Sequence, residues 1–283
     1  MITTLLPTAV QNGAKRIPMG LVVAAAIFLH HNAMANPAMV NLGSDSSFAV
    51  LAGSEITDAG GASTITGNVG LSPTTGAAIG LTSGQVNGTI YAVDAAGPAG
   101  SVSDSGSLTT AKIDLNTAFT YASGLTATSL AGGDNQLGGQ TLFAGVYSVA
   151  AASTANLIGT LTLDAQGNLN AVFIIQASST LITASDSSVV LINGAQACHV
   201  FWVVDSSATL GTGTDFMGNI LALTSIVLDT GATVDGRLLA ENAAVTLDHN
   251  TITEAVCNAR SSVPDRGQHT VTAQFRTGDS IGL

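Results

Sequence analysis

Ala208-Thr-Leu-Gly-Thr-Gly-Thr-Asp-Phe-Met-Gly-Asn-Ile-Leu-Ala222 lies over Ile226-Val-Leu-Asp-Thr-Gly-Ala-Thr-Val-Asp-Gly-Arg-Leu-Leu-Ala240 at an offset of 18 residues. Gly213 falls on Gly231, Gly218 on Gly236 and Leu221 on Leu239, while Phe216, Val234 and Ile252 extend the series at the same spacing. One coil earlier, Ser178–Thr183 aligns with Ser207–Thr212 at an offset of 29, with Ser187–Cys198 as an insertion. A period near 20 with Gly and Asp at the corners is the signature of stacked β-coils.

Each coil holds three short strands and therefore presents three faces. Val172–Ile175, Val200–Val204, Ile220–Ala222 and Leu238–Ala240 are apolar at every position, so both sides of that face must be buried. The other strands alternate, with Leu181, Leu210, Leu228 and Leu247 inward and Thr180, Thr209, Val227 and Thr246 outward. A cover for the apolar face is available in 104–123. There Leu108, Ala111, Leu115, Ala118, Phe119 and Ala122 form one helical stripe, Ser103 or Asp104 can cap the start, and Gly124 stands at the end. Laid along the coils, the helix would cover Phe173, Trp202, Leu221 and Leu239, or their strand neighbours.

Working outward, residues 1–35 carry Lys15 and Arg16, an apolar run from Met19 to Leu29, and the small-x-small triplet Ala33-Met34-Ala35. That run is too short to span a bilayer and reads as a secretory signal cleaved near Ala35, placing the chain outside the cell or in the periplasm. The ordered domain then spans 36–257, and 258–283 is a polar tail without an anchor. Cys198 and Cys257 in an exported chain form a disulfide. His199 directly follows Cys198 and no other ligand cluster is evident, so no metal or cofactor is expected.

Composition narrows function. Only 9% of residues are charged and 4% aromatic against 46% hydrophobic, with 32 Gly and a net charge of −11. Small β-branched and aliphatic side chains suit a narrow solenoid interior rather than a thick core. Between Asn36 and Gly236 the only Lys or Arg is Lys112. Nucleic acid and anionic membranes need clustered cations and are excluded as partners. No nucleophile elbow, phosphate loop or metal-spaced His cluster is present. A β-solenoid lyase would need Arg or Lys beside acidic ligands, and the coils hold only Arg237. His249 beside Asp248 reads as a turn residue. No residue is assigned a catalytic role.

What stands out is hydroxyl side chains stacked on successive coils: Thr180, Thr183, Ser207, Thr209, Thr212, Thr214, Ser225, Thr230, Thr233, Thr246, Thr251 and Thr253. Thr183, Thr212 and Thr230 fall at one aligned position. Strands ~4.8 Å apart with same-side residues ~6.7 Å apart would make a hydroxyl–methyl grid able to order water in an ice-like layer. An adhesive or structural solenoid binding polysaccharide or protein is the competing reading.

With these features in hand, the chain resembles the ice-binding proteins of the discontinuous β-solenoid family, domain of unknown function 3494. The resemblance rests on Phe48–Gly53, Ser63–Pro73, Phe143–Ser148, Gly159–Gly167, Val190–Trp202 and the repeats from Ser206 to Thr253. It implies a mainly β fold: a right-handed solenoid of triangular section whose coils are not sequential, with the long helix alongside and a capping segment within 126–160. Its function on a flat face would make the ice surface and its ordered water the partner, and a monomer is expected. Some bacterial members resemble a Thr-Ala/Gly-x-Thr/Asn pattern on the active face. Thr230-Gly-Ala-Thr233 matches it, whereas Thr183-Ala-Ser-Asp186 and Thr212-Gly-Thr-Asp215 end in Asp.

Overall fold

The computed structural model describes residues 36–130, 135–150 and 152–258; residues 1–35, expected to be a secretory signal, and the tail from 259 onward lie outside the described residues. Every paired strand is parallel to its neighbour, in a 16-stranded and a six-stranded sheet that wrap one apolar interior. The larger sheet supplies two faces, because Asp215–Ala222 and Thr233–Ala240 run through a corner and belong to both. Gly218 and Gly236 make that bend with φ of 117° and 154°. A Cβ on Gly236 would sit 1.9 Å from the Gly218 carbonyl oxygen, so the stacked corners exclude any side chain.

The coils are not stacked in chain order. Val50 pairs with Leu238, Ile56 with Val245 and Thr64 with Thr251, seating the first coil directly on the last. From there the N-terminal strands continue outward through Asn68–Leu71 and Ile90–Ala92 to Val102–Ser103 at one end. Helix α1, Ser105–Ser123, carries the chain back along the solenoid, and Thr128–Ser129 opens the other end. The segment 126–160 contributes the outermost strands there, including Thr141–Phe143.

Asp104 caps α1 by accepting from the Ser107 amide at 2.9 Å. The six residues of its predicted stripe are the six that it buries. They share an apolar cluster with Phe48, Leu51, Val172, Ile174, Phe201, Val203, Leu221 and Leu239. Phe173 and Trp202, expected under the helix, instead point into the solenoid interior, and their neighbours Ile174 and Phe201 meet α1. Trp202 packs on Phe216 at 4.9 Å and donates its indole N–H to the Met217 carbonyl at 3.0 Å. The strand Val200–Val204 carries no polar residue to mark its phase, whereas in Phe173–Ala177 Gln176 does, donating to the Ala122 carbonyl of α1 at 2.8 Å.

Lys112 reaches from α1 to the Ala240 and Glu241 carbonyls and pairs with the Glu241 carboxylate at 3.7 Å. Cys198 and Cys257 are bridged, with Cα atoms 5.5 Å apart, which fastens the last described residues to the coil before the repeats. Among the described residues no helix is long and apolar enough to cross a membrane.

Candidate functional site

Two faces remain uncovered. The third face, the part of the large sheet away from α1, comprises eight strands from Thr141–Phe143 to Val86–Asn87. One outward column runs Thr160, Ser188, Asp215, Thr233, Thr251 and Thr64, each directly opposite the next. Two residues along, a second column holds Thr141, Thr162 and Val190 toward one end and Met217, Asp235, Thr253, Thr66 and Asn87 toward the other. Strict alternation produces this: Ile65, Ile252, Val234, Phe216, Val189 and Leu161 take the inward positions between them.

The hydroxyls are tied along the column. Thr160 Oγ1 and Ser188 Oγ lie 2.9 Å apart, Thr233 Oγ1 donates to Asp215 Oδ1 at 3.0 Å, and Thr64 Oγ1 donates to Thr251 Oγ1 at 3.4 Å. Asp215 and Asp235 are the two carboxylates of the columns. Burial, then the nearby charge of Asp215, pushes the Asp235 carboxyl above its ordinary range, with Arg237 opposing.

The second face is the six-stranded sheet, whose central outward column runs Asn156, Ile182, Thr209, Val227, Thr246 and Thr57. Thr180 and Ser207, Ser225 lie at its edge, half-buried, with Thr154–Thr180 and Ser207–Ser225 hydroxyl pairs of 2.9 Å.

The predicted hydroxyl set therefore divides. Thr233, Thr251 and Thr253 are exposed on the third face; Thr209 and Thr246 are on the second; Thr212 and Thr230 are exposed at the turn between these faces. Thr183 and Thr214 are buried and leave the set. The true register pairs Leu181 with Ala208, an offset of 27 rather than 29, so Thr183 shares the inward position of Leu210 and Leu228. Its Oγ1 meets Thr214 Oγ1 at 2.7 Å and accepts from the Gly211 amide at 2.9 Å, satisfying a turn inside the coil. Thr230-Gly-Ala-Thr233 spans this turn: Gly231 is left-handed at φ 75°, Ala232 is buried, and Thr233 emerges on the third face. Asp164 ends the strand Thr160–Asp164 on the same face.

Sequence reasoning missed Thr64, Thr66, Thr141, Thr160 and Thr162. A signal existed for two of them: Thr64-Ile-Thr66 repeats Thr251-Ile-Thr253, and the two tripeptides lie side by side in register.

Arg237 is buried, and its guanidinium donates to the Ser46 carbonyl, Asn219 Oδ1, the Ala255 carbonyl and Glu254 Oε1. It is a structural cation with no free edge for a substrate. His249 Nδ1 lies 2.7 Å from Asp248 Oδ1 on the surface. Asp248 is held below the usual carboxylate range by the Thr230 hydroxyl first and then by His249.

The architecture defines a class: a parallel β-solenoid with its first coil stacked on its last and one helix packed lengthwise. The family model described as Ice-binding-like matches residues 50–253. An ice-binding protein of Nostoc sp. (strain HG1) is 45% identical over 238 residues, covering 83% of this chain and 82% of that protein. One from Flavobacterium frigoris (strain PS1) is 43% identical over 216 residues, covering 76% of each. Among solved structures, an ice-binding protein from an Antarctic biological consortium superposes with a TM-score of 0.68 at 38% identity, covering 79% of this chain and 94% of that one. This chain belongs to the ice-binding-like family.

Proposed function

We propose that this protein is an exported, non-catalytic, monomeric ice-binding protein that adsorbs to ice through its third face and so inhibits ice growth and recrystallisation. The observation that carries the choice of face is the pair of in-register outward columns, built almost wholly of short side chains across eight strands. Repeating at ~4.8 Å and ~6.7 Å, they offer hydroxyls and methyls on the scale of an ordered water layer. Most are β-branched, and the six of the first column are tied in pairs, so adsorption orders little that was free. The reading needs no cofactor, metal, nucleic acid or membrane. Export follows from the signal sequence ending near Ala35, and the segment 126–160 closes the far end of the stack.

The test replaces Thr233, at the centre of the first column, by Tyr, and Thr209, at the centre of the second face, by Tyr. Each is a surface change expected to cost under about 0.5 kcal/mol. Thr233→Tyr should keep its melting temperature and lose most thermal hysteresis, while Thr209→Tyr retains it. The opposite pattern moves the active surface to the second face. A wild type without effect on growing ice turns the reading to an adhesive solenoid.

A further inference from the structure

A group of metal-ligating atoms among the described residues lies at the bridged chain end. Cys198, His199 and Cys257 each offer one ligand atom, and the three lie within 4.8 Å of one another. Cys198 and His199 are held in the single turn Ala197–His199 and are buried, whereas Cys257 is exposed. A cavity of about 450 Å³ opens onto both cysteines, with Arg237 and Glu254 on its wall.

His199 supplies the second, independent observation. It is 7% exposed, and its Nδ1 has no hydrogen-bond partner. Buried polar atoms are seldom left unpaired.

We propose that reduction of the bridge turns this corner into a site for a thiophilic d10 cation, with Zn²⁺ the case argued. A dithiol reductant delivers two electrons and two protons to the Cys198–Cys257 S–S bond and becomes a disulfide itself. Zn²⁺ then displaces both thiol protons to solvent and forms two Zn–S bonds and one bond to the His199 imidazole. Three protein donors with water from the cavity as the fourth is a familiar tetrahedral set. Two thiolates balance the charge of the ion, which suits a largely buried position. In the oxidised protein both sulfurs are spent and only the imidazole remains, so binding is gated by redox state. Before oxidation the ion fastens the chain end to the same turn that the disulfide later holds.

The full chain is reduced with a phosphine, freed of reductant under argon, and titrated with Co²⁺ as a visible probe and then with Zn²⁺. The reduced protein should take up one Co²⁺ with thiolate-to-cobalt charge-transfer absorption, release it to Zn²⁺, and melt higher with Zn²⁺ than without. The oxidised protein should do none of these. His199→Gln, with its bridge and oxidised melting temperature unchanged, should bind Co²⁺ at least about ten-fold more weakly when reduced, the low end of what losing even an outer-shell partner costs. Absence of thiolate–cobalt absorption in the reduced wild type overturns the proposal, as does equal affinity in His199→Gln. If reduction alone unfolds the chain, recovery of native circular dichroism on adding Zn²⁺ supports the site, and no recovery overturns it.

Discussion

Truncating Leu115 to Ala tests whether α1 is an integral wall of the solenoid. Leu115 is 1% exposed, midway along α1, in the cluster that joins the helix to Leu51, Ile174, Phe201, Leu221 and Leu239. The change deletes three buried carbons, worth about 2.4 kcal/mol at ~0.8 kcal/mol per buried methylene. The facing side chains come from a hydrogen-bonded sheet and cannot collapse fully into the gap, so a cavity contribution adds to this. The expected loss is about 3 to 4 kcal/mol, within the range of ~2–5 kcal/mol seen for buried Leu→Ala changes. Leu115→Asp should cost more, since it also buries an unpaired carboxylate. Ile113, two residues away and 61% exposed, is the control: Ile113→Ala should cost under about 0.5 kcal/mol. Urea unfolding followed by circular dichroism measures both, with an unchanged denaturant slope showing that the comparison is like for like. If Leu115→Ala falls within error of Ile113→Ala, the helix does not cover this face and the reasoning from its stripe fails.

The disulfide and a buried acid give two further expectations. Opening the bridge with Cys257→Ala releases a loop whose ends are 59 residues apart, which in the chain-entropy picture lowers stability by about 4 kcal/mol; unchanged urea unfolding of metal-free protein would refute this. Asp45 is fully buried with neither carboxyl oxygen hydrogen-bonded, and burial first, then Asp114, raises its pKa from 3.8 to about 8. Between those values the folded protein holds a proton that the unfolded chain has released, so this group's contribution falls as pH rises from about 4 to 8, by at most about 6 kcal/mol. Asp45→Asn should flatten that decline, and parallel stability–pH curves for wild type and variant would refute the assignment.

Legibility in the sequence followed how locally each feature is encoded. The 18-residue repeat and the helix stripe are periodic within one segment, so strand positions and all six buried helix residues could be read directly. Register across the 187–198 insertion could not. A two-residue error there is invisible in the Ser/Thr-rich sequence but carries Thr183 from solvent to the interior. Likewise Arg237 looks like a corner residue until Ser46 and Glu254 arrive from the two ends of the domain to bind it. The third face is hidden for the same reason. Its Thr64 and Thr251 are distant in sequence and become neighbours only because the first coil seats on the last.

That seating also explains why a grid can be built from so little charge. In a continuous solenoid each added coil would lengthen the ladder from one end only. Here the best-matched rungs, Thr64-Ile-Thr66 on Thr251-Ile-Thr253 on Thr233-Val-Asp235, lie at the junction of the two arms, where coils continue on both sides. Ile65, Ile252 and Val234 beneath them are all at most 2% exposed, so the outward side chains stand on packed aliphatics. Such positions transmit little motion, because close-packed interiors compress poorly. Lys or Glu at the same sites would carry more rotamer freedom to be lost on contact than Thr does. The threonines are therefore ordered by the fold before any partner arrives. Asp215, Asp235 and Met217 are sites where the columns depart from this logic, and Asp215 is drawn into it by accepting the Thr233 hydroxyl.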